Sequence, residues 1–501
     1  MRAWSMLVLA AVFSGAVVAQ DGTPAGAPPG PAPEEPKEPP AWRIPDKDAR
    51  KLQDLFAEYL GGPAKERAEV LKKIERAIEK PIDGHSMLED VAALVSMANR
   101  ARGFNAKVKK GQVQEVPVGP EVHGFPNTGT VKYWLYVPKE YPGDRLWPLL
   151  VCIPDQKKHG DGKKYAEEWV SKSPSVAQSF VVVVPQAHAK GAEWTSPESL
   201  ARAMISLRHA AGTFGVEPKD GGPATDSLRI FLEGADEASI IVARFPEVFA
   251  GAILRGADGR AGAKPNVAAA GQLSGVPAFC VIDPKSKAQR EFAQRIHAKN
   301  AASAVVEDGS LVGDPAAIGQ WMEKLPARPP QPREIAYSVH DGSFQRHYWI
   351  NVIDFDASVD PAASFTATAD RAKNEVRIDV DGIGRFELFL SDALVDLNRP
   401  VRIVISEADK EFAFFATKDG FDTLTRDVGT MLGELLDSNH AWRVYPVKLL
   451  VDVRELRERA AAAEAAPPAE GGKPAGDAGK PADGGSPAGE GGKPASNEAS
   501  G

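Results

Sequence analysis

One stretch near the middle of the chain constrains the fold more than any other. Residues 228–232 form an apolar run typical of a buried strand, and a helical pattern begins a few residues later, near Ile240. Gly234 and Ala238 flank the turn between them, and small residues are what a sharp strand-to-helix turn requires where two backbones approach closely. Asp236 stands at the apex. The stretch therefore predicts a turn that lifts one side chain above the end of a sheet.

Strand-like and helical segments alternate between residues 108 and 326. Helical patterns fill 199–211 and 288–299, among others. Near-continuous apolar strands that alternate with helices predict a mostly parallel sheet covered by helices on both faces. The predicted strands are 132–137, 149–153, 180–184, 228–232, 251–254, 278–282 and 304–306.

Several short segments of this region match one superfamily. They are WPLLV at 147–151, VVVPQ at 182–186, Trp194 before a helix, DSLRIFLEG at 226–234, FPEVFAGA at 245–252 and IGQWM at 318–322. Together they resemble secreted α/β hydrolases of the esterase, polyhydroxybutyrate-depolymerase and predicted-peptidase type. The resemblance covers roughly residues 115–326 and implies that the region 108–326 is an α/β-hydrolase-type domain, with a catalytic serine at the elbow, where this chain has Asp236.

The resemblance also implies where the rest of a hydrolytic site should lie, and the chain departs from it there. Serine hydrolysis needs a histidine base, an acid that orients it, and an oxyanion hole. Ser310 occupies the expected histidine position, in the loop after the last strand of the sheet. Asp283 is the nearest match to the acid. At the oxyanion turn, residues 154–156 read Pro-Asp-Gln instead of a His-Gly-Gly-like sequence.

Asp236 allows two interpretations. A carboxylate at a helix N-terminus satisfies free N–H groups and meets the positive end of the helix dipole, which is a structural role. Alternatively, dehalogenases and epoxide hydrolases of this fold attack with an aspartate here and still need a histidine, for which His159 and His188 are candidates. The sequence favours the structural role.

The first residues predict export. Arg2, the apolar run 6–13 and small residues up to Ala19 form a secretory signal peptide over residues 1–19. The run is too short to span a bilayer, so no integral membrane span is expected after cleavage, and a periplasmic or extracellular location follows. Cys152 and Cys280 lie in apolar runs and are predicted to be buried thiols and not a disulfide.

Four further regions flank the α/β-hydrolase-like domain. Residues 20–42 are predicted to be a disordered Pro/Gly linker, and residues 43–107 a helical module. After a Pro-rich boundary, residues 333–453 alternate apolar and polar side chains, which predicts an antiparallel β-sandwich-like domain. Residues 465–501, rich in Gly, Pro and Ala, are predicted to be a disordered tail.

Composition and motifs restrict the classes of function that this sequence predicts. A net charge of −8 without a basic stripe argues against nucleic acid as a partner, and no cofactor or metal motif is expected. The sequence predicts an exported, catalytically inactive esterase-like protein that acts as a binding or scaffold module for a small molecule, a glycan or an envelope protein. The alternative is a carboxylic-ester or related hydrolase with Asp236 at the elbow. Trp349 and Trp442 are candidates for stacking on a glycan, although core packing is more common for tryptophan.

Overall fold

The computed structural model describes residues 43–101, 108–123, 128–142, 145–155, 159–160, 162–213, 225–261, 264–265, 273–339, 345–355, 363–408, 410–417, 424–438 and 443–465. The predicted signal peptide, the linker and nearly all of the predicted tail lie outside these ranges.

An eight-stranded, mostly parallel sheet lies at the centre of the α/β region. Its strands are β1 (Val113–Val118), β2 (Val131–Tyr136), β3 (Trp147–Cys152), β4 (Val181–Pro185), β5 (Thr225–Gly234), β6 (Gly251–Arg255), β9 (Ala278–Ile282) and β10 (Ala304–Glu307). Between β6 and β9 lies a short hairpin of β7 (Arg260–Ala261) and β8 (Lys264–Pro265). The order across the sheet is β1-β2-β4-β3-β5-β6-β9-β10. The pairs β1–β2 and β2–β4 are antiparallel, and the other pairs are parallel. All seven predicted strands are confirmed, and β1 is an addition.

Helices cover both faces of this sheet. The helices are α4 (Pro120–His123), α5 (Lys163–Lys172), α6 (Pro174–Ser179), α7 (Pro197–Thr213), α8 (Asp236–Arg244), α9 (Lys287–Lys299) and α10 (Pro315–Lys324). Buried side chains of α7, α8 and α9 share one core with one face of the sheet, and those of α5, α6 and α10 share a second core with the other face. All five residues of β4 are buried, as expected for a strand covered on both faces. The fold is of the predicted α/β-hydrolase type.

The helical module consists of α1 (Asp46–Gly61), α2 (Arg67–Ile78) and α3 (Val91–Ala101). Leu52, Phe56 and Ile74 are buried between the helices at the spacing read from the sequence. Ser86 and Glu89 form a capping box on the short 3₁₀ turn that precedes α3. Within the described ranges, no helix has both the length and the apolar character needed to cross a membrane.

The β-rich region contains two sheets around one core. One has the order β11-β14-β15-β17-β18 and the other β12-β13-β16-β19. Their strands are β11 (Glu334–Val339), β12 (Arg346–His347), β13 (Ile350–Phe355), β14 (Ala363–Asp370), β15 (Glu375–Asp381), β16 (Ile383–Leu390), β17 (Val401–Glu407), β18 (Lys410–Ala416) and β19 (Val447–Asp452), and the helices are α11 (Val428–Ser438), which lies against α2, and α12 (Val453–Ala465). Side chains of both sheets meet in a single buried cluster, which agrees with the predicted sandwich-like arrangement.

One strand pair differs from the predicted antiparallel pattern. β15 and β17 are parallel neighbours. After β15 the chain crosses to the other sheet and forms β16 there. It then returns to the first sheet as β17, which runs in the same direction as β15. A reading of strands and turns along the sequence cannot show which sheet a strand joins.

Candidate functional site

The turn between β5 and α8 lies at the carboxyl end of the central parallel strands, the edge at which α/β proteins place their sites. A Cβ atom on Gly234 would lie 3.0 Å from Ala238 Cβ and 3.2 Å from Ile153 Cβ. A side chain here would therefore force the strand, the helix or the neighbouring strand to shift by a few tenths of an ångström. The prediction that small residues flank this turn is confirmed.

The turn passes from strand to helix without a positive φ, and Ala235 at its centre lies outside both the β and the α regions. Ala235 has φ −90° and ψ −144°, Asp236 is the first helical residue, and no residue from 233 to 238 has a positive φ. A nucleophile elbow holds its catalytic residue on a strained strand-to-helix turn. Here the strand passes into the helix without the left-handed conformation that would store such strain.

The two acids at the start of α8 hold neighbouring loops. Asp236 is half-buried, and its Oδ1 accepts the backbone N–H of Asp258 at 2.7 Å. Oε1 of Glu237 accepts the backbone N–H of Trp194 at 2.9 Å. Burial, together with the nearby charges of Glu193 and other acids, raises the pKa of Glu237. Both residues lie in the first turn of the helix, and these two bonds fasten loops that follow other strands.

Asp283 and Ser310 take part in turns of their own loops. Oδ1 of Asp283 accepts the backbone N–H of Lys285 at 2.9 Å, two residues along the chain. Ser310 is exposed, and its hydroxyl donates to the Asp308 carboxylate at 2.8 Å. The N–H groups of Ser310 and Gly313 also bond to Asp308 and lower its pKa. The contacts of both residues are therefore those of turn formers.

The candidate histidines have other partners. The ring of His159 lies 4.3 Å from that of Tyr165, and His188 Nδ1 lies 2.9 Å from Ser199 Oγ. Within the described residues, neither histidine hydrogen-bonds to Asp236. At the turn expected to form the oxyanion hole, the carbonyl of Pro154 accepts the Trp194 indole N–H at 2.9 Å. Gln156 lies outside the described residues.

A buried ion pair lies beside this turn and was not predicted from the sequence. Glu233, at the end of β5, is fully buried, and its Oε1 accepts from Arg255 Nε at 2.6 Å and from the Tyr165 hydroxyl at 2.5 Å. Arg255, at the end of β6, also donates to the carbonyls of Leu311 and Val312. The signal was present, since a Glu and an Arg at the ends of otherwise apolar strands are rarely buried unless paired.

This sheet-edge cluster is electrostatically balanced. Burial opposes the charge of Arg255, but the Glu233 carboxylate outweighs it, and the net effect raises the pKa of Arg255. Burial and the adjacent carboxylate raise the pKa of the Tyr165 and Cys152 side chains, which keeps both protonated. Oε2 of Glu233 is enclosed without a hydrogen-bond partner among the described residues. Cys152 and Cys280 are buried free thiols, as predicted.

Two further expectations concern ligands. Trp349 is 0% exposed, and its indole N–H donates to the Pro332 carbonyl at 2.8 Å, so it is a core residue and not a glycan platform. Trp442 lies outside the described residues. In the described part of the chain, no three His, Cys, Asp or Glu side chains converge as a metal-binding group.

Comparisons with known proteins return only distant structural similarity. No protein-family model and no curated protein matches the sequence. Among solved structures, an esterase from Rhizomucor miehei matches with 10% identity and a TM-score of 0.31, over 42% of this chain and 82% of its own. A hyperthermophilic esterase from Pyrobaculum calidifontis matches with 12% identity and a TM-score of 0.30, over 56% and 97% of the two chains. A thermostable esterase from Pseudomonas putida matches with 15% identity and a TM-score of 0.29, over 52% and 95%. Similarity at this level adds no argument about activity.

Proposed function

We propose that this protein is an exported, non-catalytic α/β-hydrolase-fold protein that acts as a binding or scaffold module. The observation that carries the proposal is the β5–α8 turn. No residue from 233 to 238 has a positive φ, and the Asp236 carboxylate accepts the backbone N–H of Asp258. A nucleophile must instead be exposed on a strained turn and lie within reach of a base.

The surroundings of the turn support the same proposal. The loop that would supply the base carries Ser310 bonded to Asp308, and Arg255 holds the following carbonyls of Leu311 and Val312 against the sheet. His159 and His188 contact Tyr165 and Ser199. The alternative, a hydrolase with an Asp236 nucleophile, would need one of these groups to move and a new proton path to form.

The packing between regions supports a scaffold role. α2 of the helical module lies against α11 of the β-rich region. Arg328 and Arg443 donate to backbone carbonyls of the segment that follows α8. Specific contacts hold the three regions together, whereas the sheet edge is occupied by the protein's own side chains.

Esterase assays test the non-catalytic part of the proposal. Purified wild-type protein and Asp236→Ala are compared with p-nitrophenyl acetate and butyrate, and both are expected to show the rate of buffer alone. Asp236→Asn, which keeps an oxygen acceptor for Asp258, serves as the matched control. Turnover by the wild type that Asp236→Ala abolishes, or an ester adduct on Asp236 after incubation with an epoxide or a haloalkane, would refute the proposal.

Export is tested separately. Expression of the full chain in a Gram-negative host, followed by fractionation and intact mass, is expected to give a mature protein that begins at Gln20 outside the cytoplasm. An uncleaved cytoplasmic product would contradict export and leave the proposal about catalysis unaffected.

A further inference from the structure

The segment that follows α8 packs against the β-rich region through arginine side chains. Arg328 donates to the carbonyls of Pro246 and Phe249, the latter at 2.8 Å. Arg443 donates to the carbonyl of Glu247. We call Arg328, Arg443, Tyr348, Tyr445 and Glu247 the interface cluster.

Two guanidinium groups of this cluster flank one aromatic ring. The Cζ atoms of Arg328 and Arg443 lie 5.3 and 4.9 Å from the centre of the Tyr348 ring, and Arg328 also donates to the Tyr348 hydroxyl. Within the described residues, neither arginine has a carboxylate oxygen within 4.0 Å. Burial lowers the pKa of Arg328, and the charge of Arg443 lowers it further.

The local charges do not cancel. The Glu247 carboxylate interacts electrostatically with both arginines, and its Oε2 lies 3.3 Å from His347 Nδ1. Burial lowers the pKa of His347, so this ring is neutral near pH 7 and adds no positive charge. Arg346 and Glu434 neutralise each other in a bidentate pair, with both distances 2.6 Å. Among the described residues of this cluster, two guanidiniums therefore face one carboxylate, which is an excess of one positive charge.

Two buried polar atoms of the cluster also have no partner. Nε of Arg443 and the hydroxyl of Tyr445 are enclosed without a hydrogen bond among the described residues. Arg443 is 7% exposed and Tyr445 is 0% exposed. They are two residues apart in the segment that leads into β19. Burial raises the pKa of Tyr445, and the charge of Arg443 acts against that effect. Buried donors are nearly always satisfied in folded proteins, so each of these two calls for an acceptor.

We propose that the interface cluster binds one small oxyanion, a carboxylate or a phosphate-like group, between Arg443 and Tyr445. Such a group would accept from Arg443 Nε and the Tyr445 hydroxyl and would balance the excess positive charge. Guanidinium groups suit carboxylate and phosphate oxygens because of their planar array of donors. Bound there, the anion would strengthen the contact between the β-rich region and the segment after α8. This inference does not depend on whether the protein is catalytic.

The test measures thermal unfolding of the full chain in sodium acetate, sodium phosphate and sodium chloride at matched ionic strength. If the anion binds at a specific site, the unfolding midpoint rises with the logarithm of the anion concentration above Kd. Acetate or phosphate should raise the midpoint more than chloride does. Tyr445→Phe removes one donor and little volume, so the concentration needed for the same shift should rise about tenfold. Tyr337→Phe is the matched control, because its hydroxyl bonds to the Arg244 carbonyl at 3.2 Å in the same interface. It should keep the wild-type response to anions.

Three results would overturn the proposal. One is an equal response to all three salts. Another is an unchanged response in Tyr445→Phe, which would indicate general salt exclusion from the protein surface. The third is the absence of saturable binding of either anion in isothermal titration of the unmodified chain. The proposal predicts about one site per chain for phosphate, for acetate or for both.

Discussion

Two of the described clusters contain arginines that are largely removed from solvent, and their surroundings differ. At the sheet edge, Arg255 meets the Glu233 carboxylate at 2.6 Å and the carbonyls of a loop. In the interface cluster, Arg328 and Arg443 meet carbonyls and an aromatic ring, without a carboxylate in contact among the described residues. Counted over the residues that the structure describes, the first arrangement is charge-balanced and the second is not.

The arginine at the sheet edge has its counter-charge within the protein, whereas the interface cluster has donors and charge for which no partner is described. The sheet edge is the place where an α/β protein would bind a substrate, yet here it is filled by the protein's own ion pair. The interface cluster lies away from that edge and carries unmatched charge and donors. The proposed anion site of this chain therefore does not lie where proteins of this fold usually bind a substrate.

The largest effect is expected from Arg255→Met. Removing Arg255 leaves the Glu233 carboxylate fully buried without a counter-charge, which should lower the free energy of unfolding by about 3–5 kcal/mol. Urea unfolding followed by tryptophan fluorescence measures it. The double variant Glu233→Leu with Arg255→Met should be less destabilised than the single one. A loss below about 1 kcal/mol in Arg255→Met would contradict the importance of this pair.

Lowering the pH should destabilise the α/β region, because His209 must be protonated there. Burial, and to a lesser degree the charge of His123, lower the pKa of His209 from 6.5 to about 4. The folded state then binds fewer protons than the unfolded state, so stability falls as the pH decreases from about 6.5 towards 4 and is unaffected above that window. The loss should reach about 3 kcal/mol.

The control for the acid effect is His209→Asn. The asparagine oxygen can still accept from the Tyr133 hydroxyl, which lies 2.8 Å from His209 Nδ1. Urea unfolding at pH 7, 6, 5 and 4 should show a flatter pH dependence for this variant. Parallel curves for variant and wild type would assign the acid sensitivity to other groups.

When no anion is added, Arg443→Met should lower the free energy of unfolding less than Arg255→Met does. It loses one hydrogen bond to the Glu247 carbonyl and the contact with the Tyr348 ring, but it also relieves the repulsion of Arg328. We expect a loss of about 1–2 kcal/mol. A cost equal to that of Arg255→Met would remove the distinction between the two clusters.

The smallest effect is expected from Asp236→Ala. Its carboxylate is half-buried, and the loss of the bond to Asp258 should cost about 1 kcal/mol. Asp236→Asn should be nearer to wild type because an oxygen acceptor remains. Hydrogen exchange of the Asp258 amide provides a local measurement, and faster exchange is expected in the alanine variant only.

Strong local patterns predicted most of the fold. Continuous apolar strands such as β4 and the glycine at 234 are fixed by burial and by close approach, and both are visible in a sequence. The parallel pairing of β15 with β17 was not predictable, because strand direction depends on which sheet receives β16.

The site was predicted less well than the fold. The positions of Asp236, Asp283 and Ser310 followed from the motif order, but their partners are decided by loop geometry. Glu233 and Arg255 are 22 residues apart and were missed, since only the pairing of β5 with β6 brings them together. Arg328 and Arg443 are separated still further along the chain.

The interleaved strands of the β-rich region set an order for synthesis. The eight-stranded sheet has all its strands once residue 307 has left the ribosome, and it can begin to fold then. The four-stranded sheet draws strands from residues 346 to 452 and lacks an edge until β19 emerges. A nascent chain stalled near residue 440 should therefore carry a folded α/β region beside an unfinished β-rich region, without Arg443 to join them.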